Sequence, residues 1–112
     1  MKITLCGSTK FKDEFTMINT KLTLAGHIVY SVASFIHSEE NTITEEQKKK
    51  LDLIHLKKIN ESDAIVVLNV DNYIGESTGK EIEWAKINDK IIFYLENIAA
   101  GTKNMKDIQN VW

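Results

Sequence analysis

The sequence predicts an α/β fold, a flavodoxin- or Rossmann-like three-layer sandwich around a parallel sheet of four to five strands in the order 2-1-3-4. Short runs rich in β-branched residues alternate with longer segments of helical apolar spacing along the 112 residues. Such alternation favours parallel strands joined by right-handed crossovers. The run Ala64–Val70 is apolar except for one asparagine, as is typical of a strand that is buried on both faces.

The first half of the chain is predicted to form a strand, a helix and a second strand. Lys2–Cys6 is a short β-rich run that ends at Gly7. The apolar residues that follow recur at helical spacing, which predicts an amphipathic helix ending at Gly26. These apolar residues are Phe11, Phe15, Ile18 and Leu22. His27–Val32 is the second predicted strand.

The second half repeats this alternation on both sides of the third strand. A helix is predicted over residues 44–62, because Thr44 and Gln47 have the spacing of a capping box. After the third strand, a helix is predicted over residues 77–89. The β-rich run Lys90–Leu95 is the fourth predicted strand.

The C-terminal segment, residues 97–112, is expected to form a tail or a short helix. Met105, Ile108 and Trp112 would lie on one face of that helix as an exposed apolar stripe. An exposed stripe of this kind favours self-association, so a homodimer or a larger homo-oligomer is expected. Residues 1–112 have the length of one ordinary domain.

Composition excludes several classes of protein. The chain is 43% hydrophobic and 27% charged, and it contains no apolar run near the ~20 residues of a membrane span. Its first residues are typical of a strand and not of a signal peptide, so we expect a cytoplasmic protein without a membrane partner. The single cysteine excludes an intramolecular disulfide and is consistent with a reducing compartment.

Charge excludes a nucleic-acid polymer as the expected partner. The net charge is -2 and the 14 basic residues are spread along the chain without a basic patch. All of them are lysines. An anionic ligand must therefore be bound by lysine, hydroxyl groups, backbone N–H groups or helix N-termini.

Two polar, glycine-containing loops are predicted to meet in one crevice. In a sheet of order 2-1-3-4, the loops after strands 1 and 3 leave toward opposite faces and open a crevice at the carboxyl ends of the strands. These loops are residues 7–10 and 71–77. Ligands of such sheets bind in this crevice, so we expect the site there.

The first loop, Gly7-Ser8-Thr9-Lys10, has two interpretations. Backbone N–H groups, two hydroxyls and a lysine at a strand-to-helix junction can bind an anion. The alternative is that Gly7 allows a tight turn and that Ser8 or Thr9 is an ordinary N-cap. The residues alone leave both open.

The second loop leads to Glu81, which also has two interpretations. Thr78 and Glu81 have capping-box spacing, and a carboxylate near a helix N-terminus is favoured by the helix dipole. Capping does not explain the other polar residues at the end of this strand, which are Asn69, Asp71, Asn72, Tyr73, Glu76 and Ser77. A carboxylate at a helix N-terminus is expected to stay ionised, as a nucleophile requires.

The segments "LCGSTKFKDEF" and "YIGESTGKEIEWA" resemble the nucleoside 2-deoxyribosyltransferase family, including its 2-deoxynucleoside 5-monophosphate N-glycosidase branch. The resemblance covers about residues 2–96 and is greatest to short members from bacteria and phages. It implies an enzyme that cleaves or transfers the N-glycosidic bond of a nucleoside or nucleotide without a cofactor.

The resemblance also implies roles for individual residues. Glu81 would be the nucleophile that attacks the anomeric carbon of a 2-deoxyribose. Ser77 and Gly79 would border the sugar or its 5-phosphate. The first loop, with Gly7, Ser8, Thr9 and Lys10, would contact the phosphate or the sugar hydroxyls. Asp71 and Tyr73 belong to the loop beside Glu81, where Tyr73 can stack on a nucleobase or cover the core.

His55 is the main departure from the family pattern. The family commonly has an aspartate at this position, which positions the sugar and the leaving base. His55 is interpreted either as a core histidine between Leu51 and Ile59 or as a proton carrier near the base. Glu83 is a second departure, since relatives have a small residue there.

No metal site is expected from the spacing of the cysteine and the histidines. Cys6 lies inside a predicted strand without an evident base partner and is interpreted as a core residue. A second function is also open, because a fold does not fix a chemistry. In that alternative the chain is a non-catalytic module that senses or sequesters a nucleotide.

Overall fold

A computed structural model of the protein describes residues 1–33, 35 and 43–108. Within these residues four strands form one sheet, with helices on both of its faces. The strands are β1 (Lys2–Cys6), β2 (Ile28–Tyr30), β3 (Ala64–Val67) and β4 (Ile91–Tyr94), and the helices are α1 (Lys12–Leu24), α2 (Glu45–Asn60) and α3 (Glu76–Ile87). All pairings are parallel and the order is β2-β1-β3-β4. The predicted fold class and strand order are therefore confirmed.

Alternation along the strands directs side chains to two separate cores. Ile3 and Leu5 of β1 belong to the core on the α1 side of the sheet. Cys6 faces the other side, where it packs in a core with Ile59 of α2 and Ile82 of α3. Strand side chains point to alternate faces, so the last residue of β1 is directed toward α2 and α3.

In the described residues, no helix is both long enough and apolar enough to cross a membrane.

The two helices on that side begin in different ways. The N-cap of α2 is Thr44, and its reciprocal hydrogen bonds with Gln47 confirm the predicted capping box. Helix α3 instead begins at Glu76 after an extended Gly75. Thr78 therefore lies inside the helix, and the predicted capping box between Thr78 and Glu81 is wrong.

The polar loop after β3 is held by its own hydrogen bonds. The buried Asn69 side chain donates to the Glu96 carbonyl and accepts from the Glu96 N–H, each at 2.9 Å. The Asp71 N–H donates to the Glu96 carboxylate at 2.7 Å. Asp71 and Asn72 have positive φ values of 52° and 59°, a conformation that Asp and Asn adopt more readily than most residues. Much of the polarity of this loop is thus structural.

The C-terminal segment differs from its prediction. Met105 and Ile108 are 1% and 3% exposed and pack into the core on the α1 side. The exposed apolar stripe is therefore wrong for these two residues, because a short 3₁₀ turn at Met105–Asp107 turns both of them inward. Trp112 lies outside the described residues. The homo-oligomer stays a prediction, without the support of this stripe.

Candidate active site

A cleft of about 400 Å³ lies at the carboxyl ends of β1 and β3. The first loop, through Gly7, Ser8 and Thr9, forms one side of it, and the start of α3 forms another. Helix α2 contributes the third side. This is the crevice that the strand order predicts, because β1 and β3 are neighbours whose connections leave toward opposite faces.

Three side chains from three elements meet beside this cleft, where His55 and Glu81 border it and the buried Cys6 contacts them. Cys6 ends β1, His55 lies on the inner face of α2, and Glu81 lies in the second turn of α3. His55 Nε2 is 3.6 Å from Cys6 Sγ and 3.8 Å from Glu81 Oε1. We refer to Cys6, His55 and Glu81 as the cleft floor.

Helical spacing explains why Glu81 faces inward and Glu83 does not. Thr78, Ile82 and Ala85 are the buried residues of α3, and Glu81 lies beside them on the same face. The Glu81 side chain is 15% exposed. Glu83 lies on the solvent side, 68% exposed and 3.3 Å from Lys86. Two glutamates that are two residues apart therefore have different surroundings.

Burial changes the protonation of the floor. It raises the pKa of Glu81 to about 7, and Asp52 adds to this rise while a hydrogen bond with Cys6 opposes it. Burial, with a smaller effect of the Lys58 charge, lowers the pKa of His55 to about 4. Burial also raises the pKa of the Cys6 thiol, and the neighbouring Glu81 raises it further.

Two expectations about the floor are therefore wrong. Glu81 was expected to stay ionised through the helix dipole, but it lies one turn beyond the N-terminus and is largely desolvated. Cys6 was expected to lack a base partner, but its thiol contacts both His55 and Glu81. His55 is a buried residue of α2 that also borders the cleft, and its role as a proton carrier stays a prediction.

Helix α2 adds a charged side that the sequence analysis missed. Lys48, Lys50, Asp52 and Lys58 all border the cleft, and we refer to them as the lysine wall. Lys48 Nζ is 3.0 Å from Asp52 Oδ2, and Lys58 Nζ donates to the Ser31 carbonyl at 2.7 Å. The sequence contains a signal for this side of the cleft. Lys48, Asp52 and His55 have the four- and three-residue spacing of one helix face.

Five predicted substrate-binding residues border the cleft. They are Gly7, Ser8, Thr9, Tyr73 and Ser77. Ser8 also caps the 3₁₀ turn Thr9–Phe11 by accepting a hydrogen bond from the Lys10 N–H at 3.3 Å. The N-cap interpretation and a place in the cleft are therefore compatible for Ser8.

Three other predicted residues lie outside the set that borders the cleft. Lys10 Nζ is 3.6 Å from the centroid of the Tyr73 ring, a cation–π contact at the edge of the first loop. Asp71 is exposed and its backbone is tied to Glu96. Gly79 lies within α3, and among the described residues no atom outside its own helix backbone lies within 4 Å of the position that a Cβ would occupy.

Two glycines beside the cleft allow their backbone to lie close to neighbouring side chains. A Cβ on Gly7 would lie 3.2 Å from Leu68 Cβ, and one on Gly75 would lie 3.1 Å from the Tyr73 hydroxyl. Both distances are shorter than ordinary van der Waals contact. A side chain at either position would require Leu68 or Tyr73 to shift by a few tenths of an ångström.

Two solved structures share this arrangement of strands and helices. A 2-deoxyribosyltransferase from the psychrotolerant bacterium Bacillus psychrosaccharolyticus superposes with a TM-score of 0.69 at 22% sequence identity, covering 88% of this chain and 77% of that chain. The chain has the deoxyribosyltransferase fold. The CMP N-glycosidase BcmB from Clostridium botulinum superposes with a TM-score of 0.59 at 21% identity, covering 84% of this chain and 70% of that chain.

These likenesses show the deoxyribosyltransferase fold and carry no further assignment at such identities. Neither the scan against protein-family models nor the search of curated proteins found a match. The chemistry of this chain therefore depends on the residues of its own cleft.

Proposed function

We propose that the protein cleaves or transfers the N-glycosidic bond of a 2-deoxynucleoside or its 5-monophosphate, with Glu81 as the nucleophile. Its fold is shared with a 2-deoxyribosyltransferase and a CMP N-glycosidase. The observation that carries the proposal is the position of Glu81, whose largely buried carboxylate borders the cleft beside His55.

The proposed reaction has two steps. A Glu81 oxygen attacks the anomeric carbon as the carbon–nitrogen bond breaks, and the bonding electron pair leaves with the base. Water or a second base then attacks the same carbon and releases Glu81. The leaving base takes up one proton in the first step, and the water or incoming base gives up one proton in the second.

The surroundings of Glu81 support this chemistry. A carboxylate that is poorly hydrated is a stronger nucleophile than one in water, because less solvent must be displaced when it attacks. His55 is neutral above about pH 4. A neutral imidazole can relay a proton between the leaving base and the cleft without a permanent charge beneath the sugar.

A non-catalytic nucleotide-binding module is the second candidate. The raised pKa of Glu81, about 7, favours it, because near neutral pH about half of the molecules carry an uncharged carboxyl group. An uncharged carboxyl group donates a hydrogen bond to a ligand and does not attack it. Turnover decides between the two candidates.

The deciding experiment incubates the protein with a panel of 2-deoxynucleosides and their 5-monophosphates. Chromatography detects released base, and calorimetry measures binding of the same compounds. Because Glu81 is the proposed nucleophile, base release should increase as pH rises through 7. Binding without base release would support the module, and the absence of both would contradict both candidates.

A further inference from the structure

We propose that the cleft floor is a binding site for a thiophilic divalent cation, with Zn²⁺ as the expected ion and Cys6, His55 and Glu81 as its three protein ligands. The inference goes beyond the proposed function and does not require turnover. It rests on the donor set, on the distances between the donor atoms and on the rigidity of the elements that carry them.

The donor set is one that zinc prefers. Cys6 offers a sulfur, His55 a ring nitrogen and Glu81 a carboxylate oxygen, and these atoms all lie within 4.8 Å of one another. Thiolate and imidazole ligands select zinc over magnesium and calcium, which prefer oxygen alone. The lone cysteine is thus one of three convergent donors, each from a different element.

The distances are close to those of a tetrahedral zinc site. Ordinary zinc bond lengths place a sulfur and a nitrogen ligand about 3.6 Å apart and a nitrogen and an oxygen ligand about 3.4 Å apart. Cys6 Sγ and His55 Nε2 are 3.6 Å apart. His55 Nε2 and Glu81 Oε1 are 3.8 Å apart.

The floor is also organised before any ion binds. Its ligands come from the end of a strand and from two helices, which hold them more firmly than loops would. The His55 ring also hydrogen-bonds to the Leu5 backbone. Zinc-binding histidines usually have such a backbone or carboxylate partner, which orients the ring.

Three protein ligands leave one coordination position, and two of these ligands, His55 and Glu81, border the cleft. A site with three protein ligands and an open position is the catalytic type of zinc site, in which water or a ligand completes the shell. On binding, the Cys6 thiol forms a bond to the ion and its proton is released to solvent. If the proposed function holds, ion binding and attack by Glu81 exclude each other, because both use the same carboxylate.

The test uses the full-length, metal-free protein and Co²⁺ as a spectroscopic probe. We expect a thiolate-to-Co²⁺ charge-transfer band that saturates at one ion per chain, and loss of the band when Zn²⁺ is added. The chain has one cysteine, so a thiolate band in the wild-type protein can come only from Cys6. No variant is needed to assign it. Absence of the band would overturn the proposal even if every variant failed to fold.

Variants then assign the other ligands. Cys6→Ser should lose the band, and His55→Gln and Glu81→Gln should each weaken Co²⁺ binding by about 100-fold or more, beyond the effect of losing an outer-shell partner. Circular dichroism confirms that each variant folds. Unchanged affinity in His55→Gln would overturn the assignment.

Two matched controls exclude other sites. His27 Nδ1 is 2.9 Å from the N-terminal amine, and together they offer an alternative place for the ion. Glu83 is the exposed glutamate on the same helix as Glu81. His27→Gln and Glu83→Gln should keep the wild-type affinity and spectrum. Loss of binding in His27→Gln would place the ion at the N-terminus and contradict the proposal. These outcomes are independent of base release, so the two proposals can fail separately.

Discussion

Two residues of the cleft floor, His55 and Glu81, border the same cleft as the lysine wall but differ from the wall in their contact with water. Glu81 is 15% exposed, and its pKa rises to about 7 because burial disfavours its charged form. Lys48 and Asp52 of the wall form an ion pair at 3.0 Å while remaining 44% and 51% exposed. Exposed pairs of this kind contribute little to stability. The wall therefore supplies charge to the cleft, whereas the floor supplies groups whose protonation the protein controls.

Because of this difference, we expect the cleft floor and the lysine wall to have separate roles. Between about pH 4 and pH 7 both His55 and Glu81 are predominantly neutral, and above pH 7 the floor gains one negative charge. Burial lowers the pKa of Lys58 in the wall. A substitution in the floor should therefore affect chemistry and pH dependence. One in the wall should affect the affinity for anions and, at Lys48 or Asp52, also the pKa of Glu81.

The largest effect is expected for Glu81→Gln. If Glu81 forms the covalent intermediate, base release should fall by about four orders of magnitude, the scale on which loss of a nucleophile acts in covalent enzymes. The amide keeps the shape of the side chain and removes its charge. Single-turnover assays with a deoxynucleoside measure the loss.

Glu83→Gln is the matched control, since Glu83 is on the same helix and exposed. It should keep wild-type turnover. A slow 2-fluoro substrate analogue should leave a deoxyribosyl mass adduct on the peptide that contains Glu81. Full turnover by Glu81→Gln, or an adduct on Glu83 or Glu76, would remove Glu81 from this role.

The second effect is on stability and its pH dependence. In the folded protein Glu81 keeps its proton up to about pH 7, whereas in the unfolded chain it loses the proton near 4.5. Ionisation of Glu81 therefore destabilises the folded state as pH rises between these values. Relative to the wild type, the unfolding free energy of Glu81→Gln should rise by about 2 to 3 kcal/mol between pH 5 and pH 8. Urea unfolding at both pH values measures this difference.

His55 contributes with the opposite sign. Its folded pKa is about 4 and its ordinary value is 6.5, so its contribution to stability is present above pH 6.5 and is lost as pH falls through 4. The two residues nearly cancel in the wild type, and Glu81→Gln exposes the His55 contribution alone. A wild-type and a Glu81→Gln curve that stay parallel would show that Glu81 has an ordinary pKa.

The sequence predicts the sheet better than the floor for a physical reason. Runs such as Ala64–Val67 fix the strands, and right-handed crossovers then fix their order. The contact between Cys6 and His55 joins residues 49 positions apart in the sequence, and no local pattern encodes it. The start of α3 at Glu76 depends on the backbone of Gly75, which the spacing of Thr78 and Glu81 does not reveal.

The lysine wall, the C-terminal segment and the loop at Asp71 also differ in how far the sequence predicts them. Lys48 and Asp52 could have been found from helical spacing, because they lie on the face of α2 that carries His55. The inward turn of Met105 could not, since it depends on a 3₁₀ turn whose position follows from tertiary packing. Likewise, the role of Asp71 in the loop depends on Glu96, which is 25 positions away.

The third effect tests whether a charge at position 55 changes the pKa of Glu81. His55→Asp, which restores the residue common in the family, places a second carboxylate next to Glu81 and should raise the pKa of Glu81 further. The acid limb of kcat/KM should therefore move up by about one pH unit or more. His55→Asn is the control of similar shape without charge and should leave the limb in place.

Activity in these variants assigns the role of His55. Some activity in His55→Asp, with less in His55→Asn, would support a proton-carrying group at this position. A His55→Leu variant that folds more stably and keeps full turnover would assign His55 to the core. An unchanged pH profile in His55→Asp would show that residue 55 and Glu81 are not coupled.

The smallest effect is expected at the edge of the first loop, where the charge is exposed. The Lys10 ammonium lies over the Tyr73 ring, and Lys10 directly follows residues 7–9, which border the cleft. If that loop binds a 5-phosphate, Lys10→Ala should weaken binding of a deoxynucleoside 5-monophosphate by up to about fivefold, since exposed charge pairs contribute at most about 1 kcal/mol. Binding of the matching nucleoside should not change, and calorimetry with both ligands measures the contrast.

Lys48→Ala is the control, because it removes a lysine charge from the lysine wall and leaves Lys10 in place. Equal losses for both ligands in Lys10→Ala would show that no phosphate binds there, and a larger monophosphate-specific loss in Lys48→Ala would move the phosphate to the lysine wall.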